Sequence, residues 1–162
     1  MAQYHLAQLN IARFKLPLDD PAMAGFVAAL DPLNAIADAA PGFVWRLQTE
    51  EGNATSIHAF EDDLMLINMS VWESVDALAA YVYGPDHVAV MRRRREWAHH
   101  MKEAYLVLWW VPAGWIPTID EAKERLEHLR ELGATPQAFT FKKRFSPDEA
   151  AVASPEDWLC PA

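Results

Sequence analysis

Apolar residues recur at every second position in several stretches of this chain, and at helical spacing between them. Side chains of a strand alternate between the two faces of its sheet. Tyr4 to Phe14 therefore places His5, Ala7, Leu9 and Ile11 on one face and Tyr4, Leu6, Gln8 and Asn10 on the other. Phe43 to Thr49 opposes Phe43, Trp45 and Leu47 to Val44, Arg46 and Gln48. The run LMLINMSVW from Leu64 to Trp72 sets Met65, Ile67, Met69 and Val71 against Leu64, Leu66, Asn68, Ser70 and Trp72. The first of these faces is plain core. The second turns polar and then aromatic, as expected of a face that is solvated or lines a cavity. Tyr105 to Val111 (YLVLWWV) is apolar on both sides, the pattern of a central strand covered twice. A shorter strand over Thr55 to Phe60 and a last one through Phe139, Phe141 and Phe145 complete the set.

Helical spacing links Met23, Phe26, Val27, Leu30, Leu33 and Ile36, with Asp19 or Asp20 as a cap and Pro21 in the first turn. Pro32 should kink or divide that run. Ser74 is placed to cap a helix carrying Val75, Leu78, Ala79 and Val82. Gly84-Pro85 interrupts it, and a second piece runs on to Met101. Thr118 and Glu121 read as a capping box for the clearest helix, which ends before Gly133 and bears Ala122, Leu126, Leu129 and Leu132 on a narrow apolar stripe.

The order of elements is that of an α+β chain. It predicts a ferredoxin-like βαββαβ antiparallel sheet with its helices on one face, followed by an extra C-terminal helix and strand. Residues 1–146 are expected to form a single domain, and 147–162 a C-terminal tail. If the helices cover the apolar strand faces, the opposite face is left bare, and pairing with a second copy is a common remedy.

Composition adds mainly exclusions. A chain of 162 residues, 52% hydrophobic and 23% charged, can bury roughly two-thirds of its unfolded surface in a single core. A net charge of -9 argues against nucleic acid as a partner, and the run Arg92 to Arg95 reads as a solvated helix face. No apolar segment approaches the roughly 20 residues of a membrane span, and MAQYHLAQLN lacks the marks of a signal peptide. These features point to a cytoplasmic protein. Cys160, the lone cysteine, can form no internal disulfide.

No glycine-rich phosphate loop, nucleophile elbow or paired-cysteine metal site is present. His99 and His100 are adjacent and would point about 100° apart on a helix, too divergent to chelate one ion. Trp109 and Trp110 read as packing aromatics. What remains is a set of polar residues on matching strand faces: Gln8 and Asn10, Arg46 and Gln48, and Asn68, Ser70 and Trp72. Converging on a concave surface, they could bind a planar, oxygenated aromatic ligand in a sheet-face cavity. The same residues would equally suit a solvated face or a hydrated dimer interface. His87, near a helix start, is a candidate neutral base or ligand, or else a surface histidine.

The segments AQLNIARF, LDDPAMAGFVAALDPLNA, PGFVWRLQ, NMSVWES and AYLVLWWVPAG together resemble a bacterial family catalogued only as a domain of unknown function, from about Tyr4 to Phe145. That family is similar to the dimeric α/β-barrel proteins, particularly the antibiotic-biosynthesis-monooxygenase type. The local match is the strand ending in Trp72-Glu73-Ser74, its helix, and the Pro85-Asp86-His87 turn. The resemblance implies a homodimer and two chemistries. Relatives oxidise planar polyphenols without a cofactor, or degrade haem with an asparagine, a tryptophan and a histidine ligand. Asn10, Trp72 and His87 occupy comparable elements and are the catalytic candidates, although the interval from Trp72 to His87 is longer than in the haem-degrading pattern. A binding or sensing module for a similar ligand, without catalysis, is the alternative, and no metal site is expected.

Overall fold

The computed structural model describes residues 4–48 and 64–152. The expected strand at Thr55 to Phe60 and Cys160 lie outside them. Four strands form one antiparallel sheet: β1 (Tyr4–Arg13), β2 (Phe43–Arg46), β3 (Met65–Trp72) and β4 (Leu106–Pro112), in the order β2-β3-β1-β4. Crossovers carry α1 (Ala24–Ala39) between β1 and β2, and α2 (Val75–Val82), α3 (Pro85–Arg92) and α4 (Arg94–Trp97) between β3 and β4. This is the ferredoxin-like βαββαβ arrangement. The extra helix is α5 (Ile119–Leu132), and a short α6 (Pro147–Val152) follows. Among the described residues, no helix is long and apolar enough to cross a membrane.

The helix starts follow from their caps. Asp20 accepts a hydrogen bond from the Ala22 amide at 2.9 Å, ahead of a 3-10 turn leading into α1. The Ser74 hydroxyl accepts from Ala77 at 3.0 Å, and Thr118 accepts from Glu121 at 3.0 Å. Each satisfies one of the amides that a helix N-terminus leaves without a partner. Only half of the expected capping box forms at Thr118. The Glu121 carboxylate instead accepts from the indoles of Trp109, at 2.8 Å, and Trp115, at 3.0 Å. Pro32 does not divide α1, which runs on through it to Ala39. Its helix is only lightly buried, so the carbonyl left without an amide donor can be solvated. The segment around Phe139 makes a single bridge to Leu108 in place of a full strand. Phe139, Phe141 and Phe145 serve as packing side chains there.

The two sheet faces are dressed in the reverse of the expected way. Helices α1 and α2 pack on the side of Leu6, Trp72 and Leu108, through Ala37, Val75 and Leu78. Further along the same face, Phe26 of α1, Val90 of α3 and Trp97 of α4 pack with Phe14, Leu64 and Leu66. The polar residues of β1 and β3 therefore lie beneath the crossover helices. The apolar face is not bare either. Ala122, Leu126 and Leu129 of α5 lie over Ala7, Leu9, Ile11, Ile67, Met69, Val71, Val107 and Trp109, all nearly inaccessible to solvent. Three of the four stripe positions on α5 thus cover the face that the crossover helices leave, while Leu132 stays exposed. Each large aliphatic side chain buried here contributes roughly 1.5–3 kcal/mol.

Candidate functional site

The face beneath α1 to α3 is divided. One apolar cluster surrounds Leu6 and Trp72 and another surrounds Phe14 and Trp97. Between them runs a polar band made by the β1–β3 register, in which Gln8 stands opposite Ser70 and Asn10 opposite Asn68. On the β2 side Arg46 pairs with Ser70, which brings a third strand to the band. Gln8 donates through Nε2 to Asn68 Oδ1 at 2.7 Å and to Ser70 Oγ at 2.8 Å. Ser70 Oγ also accepts from Trp72 Nε1 at 2.9 Å. One glutamine and one hydroxyl thereby satisfy three buried polar groups that would otherwise each cost about 1–3 kcal/mol.

Exposure changes along the band. Trp72, Gln8 and Ser70 are buried at 1, 5 and 7% exposure, Asn10 is half-buried, and Asn68 is exposed. Asn68 lies in the middle of β3, opposite Asn10 of β1 and beyond the last β2 pair, Arg46 with Ser70, on the sheet side that carries the helices. Past the end of β2 the sheet face is open to solvent at Asn68, beside the half-buried Asn10. Gln48, just past β2, is exposed as well.

The Trp72 end is closed. Its ring lies against Tyr81 at 5.4 Å between centroids, nearly parallel, and meets the edge of Phe43 at 5.4 Å. Tyr81 in turn touches His87 edge-on at 5.2 Å and donates its hydroxyl to the Leu33 carbonyl of α1 at 3.1 Å. Burial pushes the Tyr81 phenol up to about 12, and the nearby Arg46 cation offsets part of that rise. Arg46 is bound by Asp38 of α1 through Nε, at 2.7 Å, and NH2, at 3.3 Å. Burial also holds the His87 imidazole below its ordinary pKa. The Val82 backbone opposes part of that shift, while Nδ1 is buried without a hydrogen-bond partner.

The structure therefore joins Gln8, Asn10, Asn68, Ser70 and Trp72 in one strip, with Arg46 on its flank. His87 stands apart, two rings out from the strip behind Trp72 and Tyr81. Trp72 is enclosed by Phe43 and Tyr81, and Tyr81 stands between it and His87, so these residues do not fit haem as the haem-degrading pattern would hold it. Among the described residues no three His, Cys, Asp or Glu side chains could hold a metal ion. Sequence reasoning missed Tyr81 and Asp38. Tyr81 follows Leu78 by three positions, so the sheet-facing stripe of α2 was a usable signal for it. Nothing local ties Asp38 to Arg46.

Fold and site together define a ferredoxin-like α+β protein with a polar strip on the sheet face its crossover helices pack on, open to solvent at Asn68. The chain belongs to the family described as domain of unknown function DUF3291, whose model matches residues 5–155. No curated protein matches it. Among solved structures it is similar to PA3566 from Pseudomonas aeruginosa, at 11% identity and a TM-score of 0.46, covering 69% of this chain and 96% of that one. SnoaB, a cofactor-independent oxygenase from Streptomyces nogalater, is 16% identical with a TM-score of 0.43, over 69% of this chain and 95% of that one. NE2512, a protein of unknown function from Nitrosomonas europaea, is 17% identical with a TM-score of 0.43, over 73 and 99% of the two chains. These descriptions belong to those proteins and assign no activity to this chain.

Proposed function

We propose that the opening over Asn68 binds a small, planar, oxygenated aromatic ligand, and that the protein oxidises it with dioxygen. The observation that carries the binding is the exposure of Asn68 in mid-strand, between two buried apolar clusters on the same sheet face. Apolar walls and a few aimed polar groups are the usual composition of a small-molecule site. Asn10 and Asn68 would meet ligand oxygens, Gln8 and Ser70 would hold the amides in place, and Arg46 and Gln48 would line the β2 side. Trp72, already enclosed, would form the closed end. For a phenolic substrate the chemistry balances without a cofactor. The phenol O–H and the ring C–H opposite it react with dioxygen, giving a quinone and one water.

Oxygen uptake in the presence of a panel of quinols and naphthols tests the enzymatic reading, with indole fluorescence reporting binding. Uptake that Asn68→Ala abolishes is the expected result. Binding without uptake would leave a sensing or carrier module. That second reading is favoured by one observation, that Gln8, Asn10, Asn68 and Ser70 include no group able to act as a base near neutral pH. Neither binding nor uptake across the panel would reject both. The homodimer implied by the family resemblance belongs to the same proposal. Because α5 occupies the sheet face, such a dimer would have to use another surface, and light scattering at micromolar concentration tests it.

A further inference from the structure

On the outer side of Tyr81 the chain forms a second concavity, of about 400 Å³, lined by Val82, Tyr83, His87, Val88, Met91, Arg92, Arg94 and Arg95. Its composition is two-sided. Val82, Val88 and Met91 make an apolar floor. Tyr83 makes a wall, its ring steadied edge-on by Phe141 at 5.7 Å. Three arginines form the rest of the lining, and none of the lining residues is acidic.

The arginines are unusual in what they lack. Arg46, Arg93, Arg130 and Arg144 each bind a carboxylate. Arg93, in the same run, is taken up by Glu96 and by the face of Trp97. Among the described residues Arg94 reaches only the Tyr105 hydroxyl, at 3.5 Å, and Arg92 and Arg95 have no carboxylate partner. In a chain of net charge -9, three exposed cations thus line one concavity beside apolar side chains without a described carboxylate on them. The His87 ring, whose pKa burial lowers, extends the lining.

The geometry points to a binding site for an amphipathic organic anion: an aryl carboxylate whose ring lies on Val82, Val88 and Met91 and whose carboxylate meets Arg92 and Arg95. A concavity of this volume suits a small ligand, and guanidinium groups pair with carboxylates through two parallel hydrogen bonds. The site is separate from the polar opening, because Tyr81 and Trp72 close the space between them.

Naphthoate and its uncharged counterpart naphthylmethanol share a ring and differ in charge, so calorimetry of both against the full chain isolates the carboxylate. Naphthoate is expected to bind about tenfold more tightly than naphthylmethanol at low salt, with the advantage shrinking as salt is raised. In Arg92→Gln/Arg95→Gln that preference disappears, while naphthylmethanol affinity and melting temperature hold. Met91→Ala weakens both probes alike. Equal affinities, a preference that survives in the double variant, or no binding of naphthoate up to millimolar concentration would each overturn the assignment.

Discussion

Gln8 and Met69 sit on adjacent strands of one sheet, yet their side chains serve opposite purposes. Gln8 spends both of its amide hydrogens on Asn68 and Ser70, beneath the crossover helices. Met69 fills apolar volume under α5. Substitutions on the two faces should therefore separate binding from stability. Asn10→Ala removes one aimed amide and no packed volume. It is expected to weaken ligand affinity or turnover several-fold, at roughly 1 kcal/mol per net hydrogen bond, and to leave the melting temperature within a few degrees. Met69→Ala is expected to cost about 2–5 kcal/mol through the cavity it leaves, with ligand affinity of the folded fraction unchanged. Denaturant melts paired with ligand titrations check both. Unfolding by the first and indifference to the second would reverse the division of labour between the faces.

At the scale of elements, α5 has the most to explain. Its apolar stripe is narrow and its mean character polar, yet it covers the centre of the sheet. It is anchored at its start by the Thr118 cap and by Glu121, whose carboxylate ties the indoles of Trp109 on β4 and Trp115 on the connecting turn. Thr118→Ala should cost about 0.5–2 kcal/mol, the usual range for a lost cap. Glu121→Ala should cost more, because it leaves the Trp109 N–H, on a fully buried ring, without an acceptor. Chemical denaturation of the two variants gives the order. If Thr118→Ala is the more damaging, the indole ties contribute less than the cap. Helix α1 contrasts with α5. Val27 and Ile36 remain exposed on it, and it is held through Phe26 on Phe14, through Ala37 and through the Asp38–Arg46 pair.

For the molecule as a whole, two histidines set a pH response. His87 and His128 are both held below their ordinary pKa, chiefly by burial, with the Arg125 cation adding to the effect at His128. The folded state therefore prefers the neutral rings. As pH falls below the unfolded value of about 6.5, the unfolded chain takes up protons first, so stability declines until the folded pKa values are also passed. The melting temperature is expected to fall between about pH 7.5 and 5.5, and His87→Gln/His128→Gln to flatten that slope. Calorimetric melts across this range check it; an unchanged slope in the double variant would assign the response to other groups.

Much of this architecture was legible in the chain because alternation and helical spacing are local properties. The four strands, the Asp20, Ser74 and Thr118 caps and the grouping of Gln8 and Asn10 with Asn68, Ser70 and Trp72 all come from side-chain period and capping chemistry. Which layer would cover each sheet face was not local. Both faces of β1 and β3 carry enough apolar residues to accept a helix, and their period is indifferent to which one does. The helices went to the Leu6–Trp72 side, and α5, beyond the βαββαβ unit, took the other. The same holds for the site. Side-chain alternation alone put the polar residues of β1 and β3 on a shared strand face. Only packing decided that Trp72 would be sealed by Tyr81 and Phe43, that Asn68 would stay open to water, and that His87 would face an arginine-lined groove. Contacts between residues distant in sequence depend on how whole elements stack, and no short stretch of the chain encodes that.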